Sequence, residues 1–440
     1  MTTPAEAFAA LAEAAARDGA PDAPARRAAL LGLRAALLAR AEEVARAADA
    51  DFGGRSRIET LLADVLCVAE AAAHAARNLA RWMRPRRAAV PLAFWPARAA
   101  VAPRPKGVVG VIAPWNYPVQ LALWPAVDAL AAGNRVLVKP SEATPRCAEL
   151  VAQILEAGPG PSLARAVLGG PEVAAALCSL PLGHLLFTGG GATARKVAAA
   201  AAANLTPLTL ELGGKCPAFV LPGADLRRAA RAILVGKALN AGQTCVAPDT
   251  VVLIGHSAEA FAEACRATGP HACETAIAPP NRGRFAALLE GARTDALSDG
   301  ATPILLARAG ENAPIAREEI FGPALLLHEA ATLDDALATA APEPLAAYLF
   351  GASPAERAQV AARLRAGAIV ENRCVDHAAF PALAFGGAGA SGHGRYHGEA
   401  GFLAFSDLVA EVRHGPFALA RLFDAPRGGL AERLIGRLLR

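Results

Sequence analysis

Between residues 107 and 212, short strand-like apolar runs and helix-like stretches alternate strictly, and few folds accommodate that order. The runs are GVVGVIA (107–113), NRVLVKP (134–140), LARAVLG (163–169), GHLLFTG (183–189) and PLTLEL (207–212). Helical patterns fill the gaps at 119–132, 145–157, 171–179 and 192–204. Strands separated by helical segments pair as parallel neighbours, so this region predicts a doubly wound parallel sheet. Ligands of such sheets bind beyond the carboxyl ends of the strands. That rule singles out the segments PWNYP, KPSE, FTGGG and ELGGK, each of which follows or ends a strand-like run.

A second α/β stretch follows, with strands expected at 217–221, 250–254, 303–307, 324–328 and 367–371. Residues 1–85 carry apolar side chains at helical spacing, for example Leu30, Leu31, Leu33, Leu37 and Leu38, and predict two or three helices. From 411 onward the chain reads as helix. Leu430, Leu434, Ile435, Leu438 and Leu439 form an apolar stripe there, with Arg433, Arg437 and Arg440 on other faces. Packing on the body of the protein or on a partner subunit is the favoured reading of that stripe, and a peripheral membrane helix the alternative.

Composition narrows the class. With 54% hydrophobic residues the chain is not disordered, and its 440 residues suffice for two or three domains. A formal net charge of +4 with no basic cluster excludes a nucleic-acid partner. The eight cysteines show no CxxC pair and no zinc spacing, so no metal is expected, and they read as free thiols in a reducing compartment. No signal peptide and no membrane span are expected, which places the protein in the cytoplasm. Of the 44 basic residues only five are lysine: Lys106, Lys139, Lys196, Lys215 and Lys237.

Two segments suggest chemistry by themselves. Gly189-Gly190-Gly191-Ala192-Thr193-Ala194 fits a dinucleotide-binding turn between a strand and a helix, where backbone N–H groups cradle a pyrophosphate. A strict reading of that fingerprint would hand Glu211 to a ribose. GQTCVAP (242–248) places Cys245 after a glycine turn, where it is either a reactive thiol or a structural one.

Order decides between these alternatives. PWNYP (114–118), KPSE (139–142), FTG (187–189), ELGGK (211–215), GQTC (242–245), EEIFGP (318–323) and FGG…SG (385–392) follow one another along the chain. Together they resemble the aldehyde dehydrogenase superfamily. ADFGGRSRIETLLADV (50–65) and SGHGRYHGEAGFLAFS (391–406) are most similar to its coniferyl aldehyde dehydrogenase branch, near the class 3 enzymes. The resemblance implies that Cys245 is the nucleophile, that Asn116 and the Cys245 N–H hold an oxyanion, and that Glu211 is the base that hydrolyses a thioester. It further implies NAD, with NADP as the alternative, bound by Trp115, Lys139, Glu142, Gly189, Gly190, Glu319 and Phe321. Phe385 would line the substrate funnel. An acid at 142 beside the ribose would repel a 2′-phosphate.

The implied fold is α/β, with a doubly wound NAD-binding domain (1–210), an α/β catalytic domain (211–400) and an oligomerisation segment with a helical tail (401–440). A hairpin near 89–104 would pair with the segment near 400–412 as a small β arm of a homodimer. Three departures stand out. Gly190 replaces the family's usual serine, Ala194 its glycine, and only 74 positions (319 − 245) separate Cys245 from Glu319. ENRC (371–374) also departs from an Asn-Asp pair. The expected reaction is oxidation of an aldehyde, first an aromatic one such as coniferaldehyde and second a medium-chain aliphatic one. The alternative is a catalytically impaired scaffold with a shortened catalytic domain.

Overall fold

The computed structural model describes residues 2–415, 421, 424–426 and 428–440. A six-stranded sheet carries its strands in the order Gly392–His393, Leu208–Leu212, His184–Gly189, Val108–Ile112, Arg135–Lys139, Ala164–Ala166. All neighbours are parallel except Gly392–His393, which adds an antiparallel edge. The five runs of the 107–212 region therefore form one sheet, connected by helices Gln120–Ala132, Pro145–Ala157, Pro171–Cys178 and Gly191–Ala202. Every residue of Val108–Ile112 and Arg135–Lys139 is buried, as expected for parallel strands covered on both faces.

A seven-stranded sheet runs Arg293–Ala296, Leu305–Arg308, Ala324–Ala330, Pro248–Ile254, Cys216–Val220, Ala346–Phe350, Ala368–Glu371. Two of these strands escape the pattern reading. Ala346–Phe350 is an all-apolar run of five, too short for periodicity to separate strand from helix, and burial on both faces settles it. Arg293–Ala296 is fully exposed and held only by antiparallel pairing with Leu305–Arg308.

The N-terminal region holds more helix than expected: Pro4–Asp18, Ala23–Ala39, Ala41–Phe52 and a continuous helical stretch from Arg57 to Trp82 with a π turn at Leu61–Leu66. The breaks lie at residues that periodicity does not register. Gly53 ends the third helix in the left-handed conformation, and Asp22 caps the second through its side chain.

The expected pairing of the hairpin with the segment near 400–412 is present, while the helical reading from 411 is corrected. Residues 406–413 form a strand that pairs antiparallel with Arg98–Pro105 over eight positions, and Arg86–Ala88 completes a three-stranded sheet. The hairpin therefore starts at 86, and residues 89–97 serve as its connection. Helix returns at Gly429–Leu438, while 416–420, 422, 423 and 427 lie outside the described residues. A long antiparallel partner outweighs the modest helix propensity of SDLVAEVR.

One buried ion pair positions the first functional loop. Arg55 and Asp64, both with fully buried side chains, meet at 2.7 Å. Asp64 Oδ1 accepts from the N–H groups of Val119 and Gln120 at 3.0 Å each, and Arg55 Nη1 donates to the Asn116 carbonyl at 2.8 Å. The loop after Val108–Ile112 is thus clamped from the N-terminal helices.

Candidate active site

Cys245 sits where two cavities meet. The first, about 240 Å³, is lined by Trp115, Asn116, Gly189, Gly190, Glu211, Glu319 and Phe321 together with Cys245. The second, about 440 Å³, reaches Cys245 from the other side past Tyr117, Val246 and Phe385. Eight of the ten residues singled out as catalytic or cofactor-binding therefore surround one space. Lys139 and Glu142 do not line it. They pair with each other at the carboxyl end of Arg135–Lys139, the strand hydrogen-bonded to Val108–Ile112.

Strand register places Glu211. It lies in Leu208–Leu212 between Thr188 on one side and Gly392 on the other. Its side chain is buried and neither carboxylate oxygen has a hydrogen-bond partner of good geometry. Burial pushes its carboxyl up to about 7, while the nearby Cys245 thiol and Thr188 hydroxyl pull the other way. A carboxyl poised there can take a proton at neutral pH and give it up again.

Cys245 is partly exposed, and its thiol is held neutral. Its pKa is pushed well above the usual thiol range, first by removal from water and then by the Glu211 carboxylate beside it. The turn that carries it is tied to the Asn116 loop. Asn116 Nδ2 donates to the Gln243 carbonyl at 3.0 Å, and the Tyr117 and Thr244 hydroxyls lie 2.6 Å apart. A carboxamide, a thiol and a carboxyl of distinct proton affinity are thereby fixed around one point.

Glu319 and Phe321 close the far wall. Glu319 packs its carboxyl onto the backbone of Gly213, so closely that a Cβ there would meet the carboxyl carbon at 2.6 Å. Its pKa shifts up to about 8, from burial and from Asp249, against a hydrogen bond from the Gly214 N–H. The Trp115 and Phe321 rings meet edge to face with centroids 5.7 Å apart.

The lining fits a nicotinamide dinucleotide. Gly190 caps the helix Gly191–Ala202 with no side chain of its own, and open space surrounds both Gly190 and Gly191, leaving the first amides of that helix open to a phosphate. Carboxylates at 142 and 319 suit ribose hydroxyls, and the aromatic pair suits a flat ring.

Four further residues belong to this site without having been singled out for it. Tyr117 and Thr188 lie inside recognised segments but received no role. Asn281 and Arg284 line the first cavity from the helix Pro279–Leu288. Their stretch, PPNRGRFAAL, carries no signal that would separate it from an ordinary surface helix.

The sequence pattern described as the aldehyde dehydrogenase family matches residues 2–269 and 282–410. A Pseudomonas aeruginosa protein named "Probable coniferyl aldehyde dehydrogenase" is 40% identical over 443 residues, 95% of this chain and 92% of its own. The "Coniferyl aldehyde dehydrogenase" of Pseudomonas sp. strain HR199 is 38% identical over 434 residues, covering 92% and 90%. Among solved structures, "Substrate bound state of Staphylococcus Aureus AldH" superposes over 100% of both chains with a TM-score of 0.90 at 27% identity.

Proposed function

The chain belongs to the aldehyde dehydrogenase family, and from that premise we propose that it oxidises an aldehyde to the free carboxylic acid through a covalent intermediate on Cys245, with NAD as hydride acceptor. The observation that carries this reading is the meeting of two cavities at Cys245, with Glu211 buried beside it. The Cys245 thiol gives up its proton to solvent, and its sulfur bonds to the aldehyde carbon. The carbonyl oxygen becomes an alkoxide held by the Asn116 carboxamide and the Cys245 N–H. Nicotinamide, when bound in the first cavity, supplies the hydride acceptor. The acyl group then remains on sulfur as a thioester. Glu211 takes a proton from water, whose oxygen attacks the thioester carbon. The C–S bond breaks, the sulfur leaves with the electron pair and takes the proton from Glu211, and the carboxylic acid departs.

The second cavity supports an apolar substrate. Leu62, Leu66, Leu239, Val246 and Phe385 line it, and the names of the two Pseudomonas relatives point to coniferaldehyde. An aromatic aldehyde is the first candidate and a medium-chain aliphatic aldehyde the second. Glu142 favours NAD over NADP. Division into an NAD-binding part (1–210), a catalytic part (211–400) and an oligomerisation segment, assembly as a homodimer through the 86–105/406–413 sheet, and a cytoplasmic location complete the proposal.

The test is absorbance at 340 nm on mixing the protein with NAD and coniferaldehyde or hexanal. NADH formed by the wild type and absent with Cys245→Ala supports the assignment. No NADH from any aldehyde with either NAD or NADP overturns it in favour of the scaffold reading.

A further inference from the structure

Two backbone loops face each other across the first cavity, and both are strained. The loop before Cys245 holds Asn240 (φ 51°) and Ala241 (φ 53°) in the left-handed region, and the loop 318–322 holds Phe321 there (φ 46°). Such conformations are disfavoured for side-chain-bearing residues and persist where the surroundings enforce them. The loops also touch. A Cβ on Gly242 would lie 2.8 Å from the Gly322 carbonyl carbon, and Gly242 itself has a φ of 68°.

Loop 318–322 has no regular hydrogen bonding of its own to hold it. Instead, each of its five consecutive carbonyls accepts from a side chain. Lys215 donates to Glu318 O at 3.0 Å, Arg284 to Glu319 O and to Ile320 O, Asn281 to Phe321 O at 2.7 Å, and Lys237 to Gly322 O at 3.2 Å. Asp249 Oδ2 takes the Ile320 N–H at 2.7 Å. Among these groups Asn281 has a second contact. Its Nδ2 lies 3.5 Å from Gln243 Oε1, and the Gln243 backbone carbonyl accepts from Asn116 and Asn240. Asn116, Asn240, Gln243 and Asn281 are all buried.

We propose that Asn281 is a positioning residue that ties the loop of Glu319 and Phe321 to the loop of Cys245 and Asn116, and so sets the distance over which hydride leaves the substrate. The inference rests on the reading of the first cavity as a nicotinamide site. It assigns a role to a helix that none of the recognised segments contains, at the edge of the stretch 270–281 that the family pattern leaves unmatched. One amide suits the task because the two N–H donors of its Nδ2 reach the strained residue's carbonyl and the cysteine loop from one helix.

The test compares Asn281→Ala with Asn281→Asp, which keeps the shape and removes the donor. Three readouts are taken: aldehyde oxidation, hydrolysis of p-nitrophenyl acetate, and quenching of Trp115 fluorescence by NAD. Ester hydrolysis uses Cys245 and Glu211 but transfers no hydride. The expected result is a tenfold or greater loss in kcat for oxidation in both variants, at least tenfold larger than the loss in ester hydrolysis. NAD affinity falls several-fold, and the deuterium isotope effect with 1-deuterated aldehyde rises. Equal losses in oxidation and ester hydrolysis, a melting temperature lowered by more than 10 °C in both variants, or no change in either readout each overturns the proposal. A wild type that neither oxidises aldehydes nor binds NAD or NADP overturns the functional reading itself, an outcome distinct from unchanged variants of an active wild type.

Discussion

Glu211→Gln separates the two halves of the reaction, and the structure sets its size. Glutamine fills the same buried space between Thr188 and Gly392 but cannot accept a proton from water. Loss of a general base slows the step it serves by about 10²–10⁴-fold. The variant should therefore release one NADH per active site in a burst and then stall as the thioester. In the wild type a carboxyl titrating at about 7 is about 9% ionised at pH 6 and about 91% at pH 8, so kcat should rise about tenfold across that interval. The same burial has a stability signature. Unfolded, the group ionises at its ordinary 4.5; folded, at about 7. The folded state thus loses stability as pH climbs between those values, by about 3 kcal/mol once pH exceeds 7. Glutamine carries no such penalty. At roughly 2.1 cal/mol/K per residue, that corresponds to a melting temperature about 3 °C higher for the variant at pH 8 and unchanged near pH 4. Stopped-flow absorbance at 340 nm and calorimetry at the two pH values check both claims. Steady turnover by the variant at the wild-type rate, or a wild-type kcat flat from pH 6 to 8, would refute the argument.

Asp64→Ala leaves the Arg55 guanidinium buried without its partner and frees the Val119 and Gln120 N–H groups; denaturant titration should show a loss of about 3–5 kcal/mol. Glu142→Gln removes the charge proposed to repel a ribose 2′-phosphate, and the ratio of kcat/KM for NADP over NAD should rise about tenfold, worth about 1.4 kcal/mol. Equilibrium sedimentation at micromolar concentration should give a dimer; a monomer alone would remove the proposed role of the three-stranded sheet, whose Leu408, Val409 and Val412 are exposed in the single chain.

Local order made much of the fold legible. The strands and helices of 107–212 follow from apolar runs alternating with helical patterns, since a fully buried parallel strand and an amphipathic helix each leave a mark within a few residues. Ordered short segments singled out Cys245, Glu211 and Asn116 as candidates for the same reason: each carries its neighbours with it. The lysines offer a subtler case. In a chain that otherwise uses arginine, Lys139 and Lys237 are buried, and Lys106 and Lys215 are nearly so, and all four reach a carboxylate or a carbonyl. A compact ammonium on a flexible stem suits those contacts, while the planar guanidinium of Arg55 serves the buried pair with Asp64.

What no local pattern could supply is whatever two distant segments decide jointly. Residues 406–413 are strand because Arg98–Pro105 lies beside them, and Arg293–Ala296 because Leu305–Arg308 does. The proton affinity of Glu211 depends on burial from every side. Asn281 enters the site only because its helix packs where loop 318–322 and the Cys245 turn meet. By itself the sequence determined the order of the elements, the parallel sheet and the candidates for the reacting groups, because those depend on neighbours in the chain. Tertiary structure alone decided which groups share a cavity, what protonation they hold and which buried amide joins them, because desolvation and hydrogen bonding act through space.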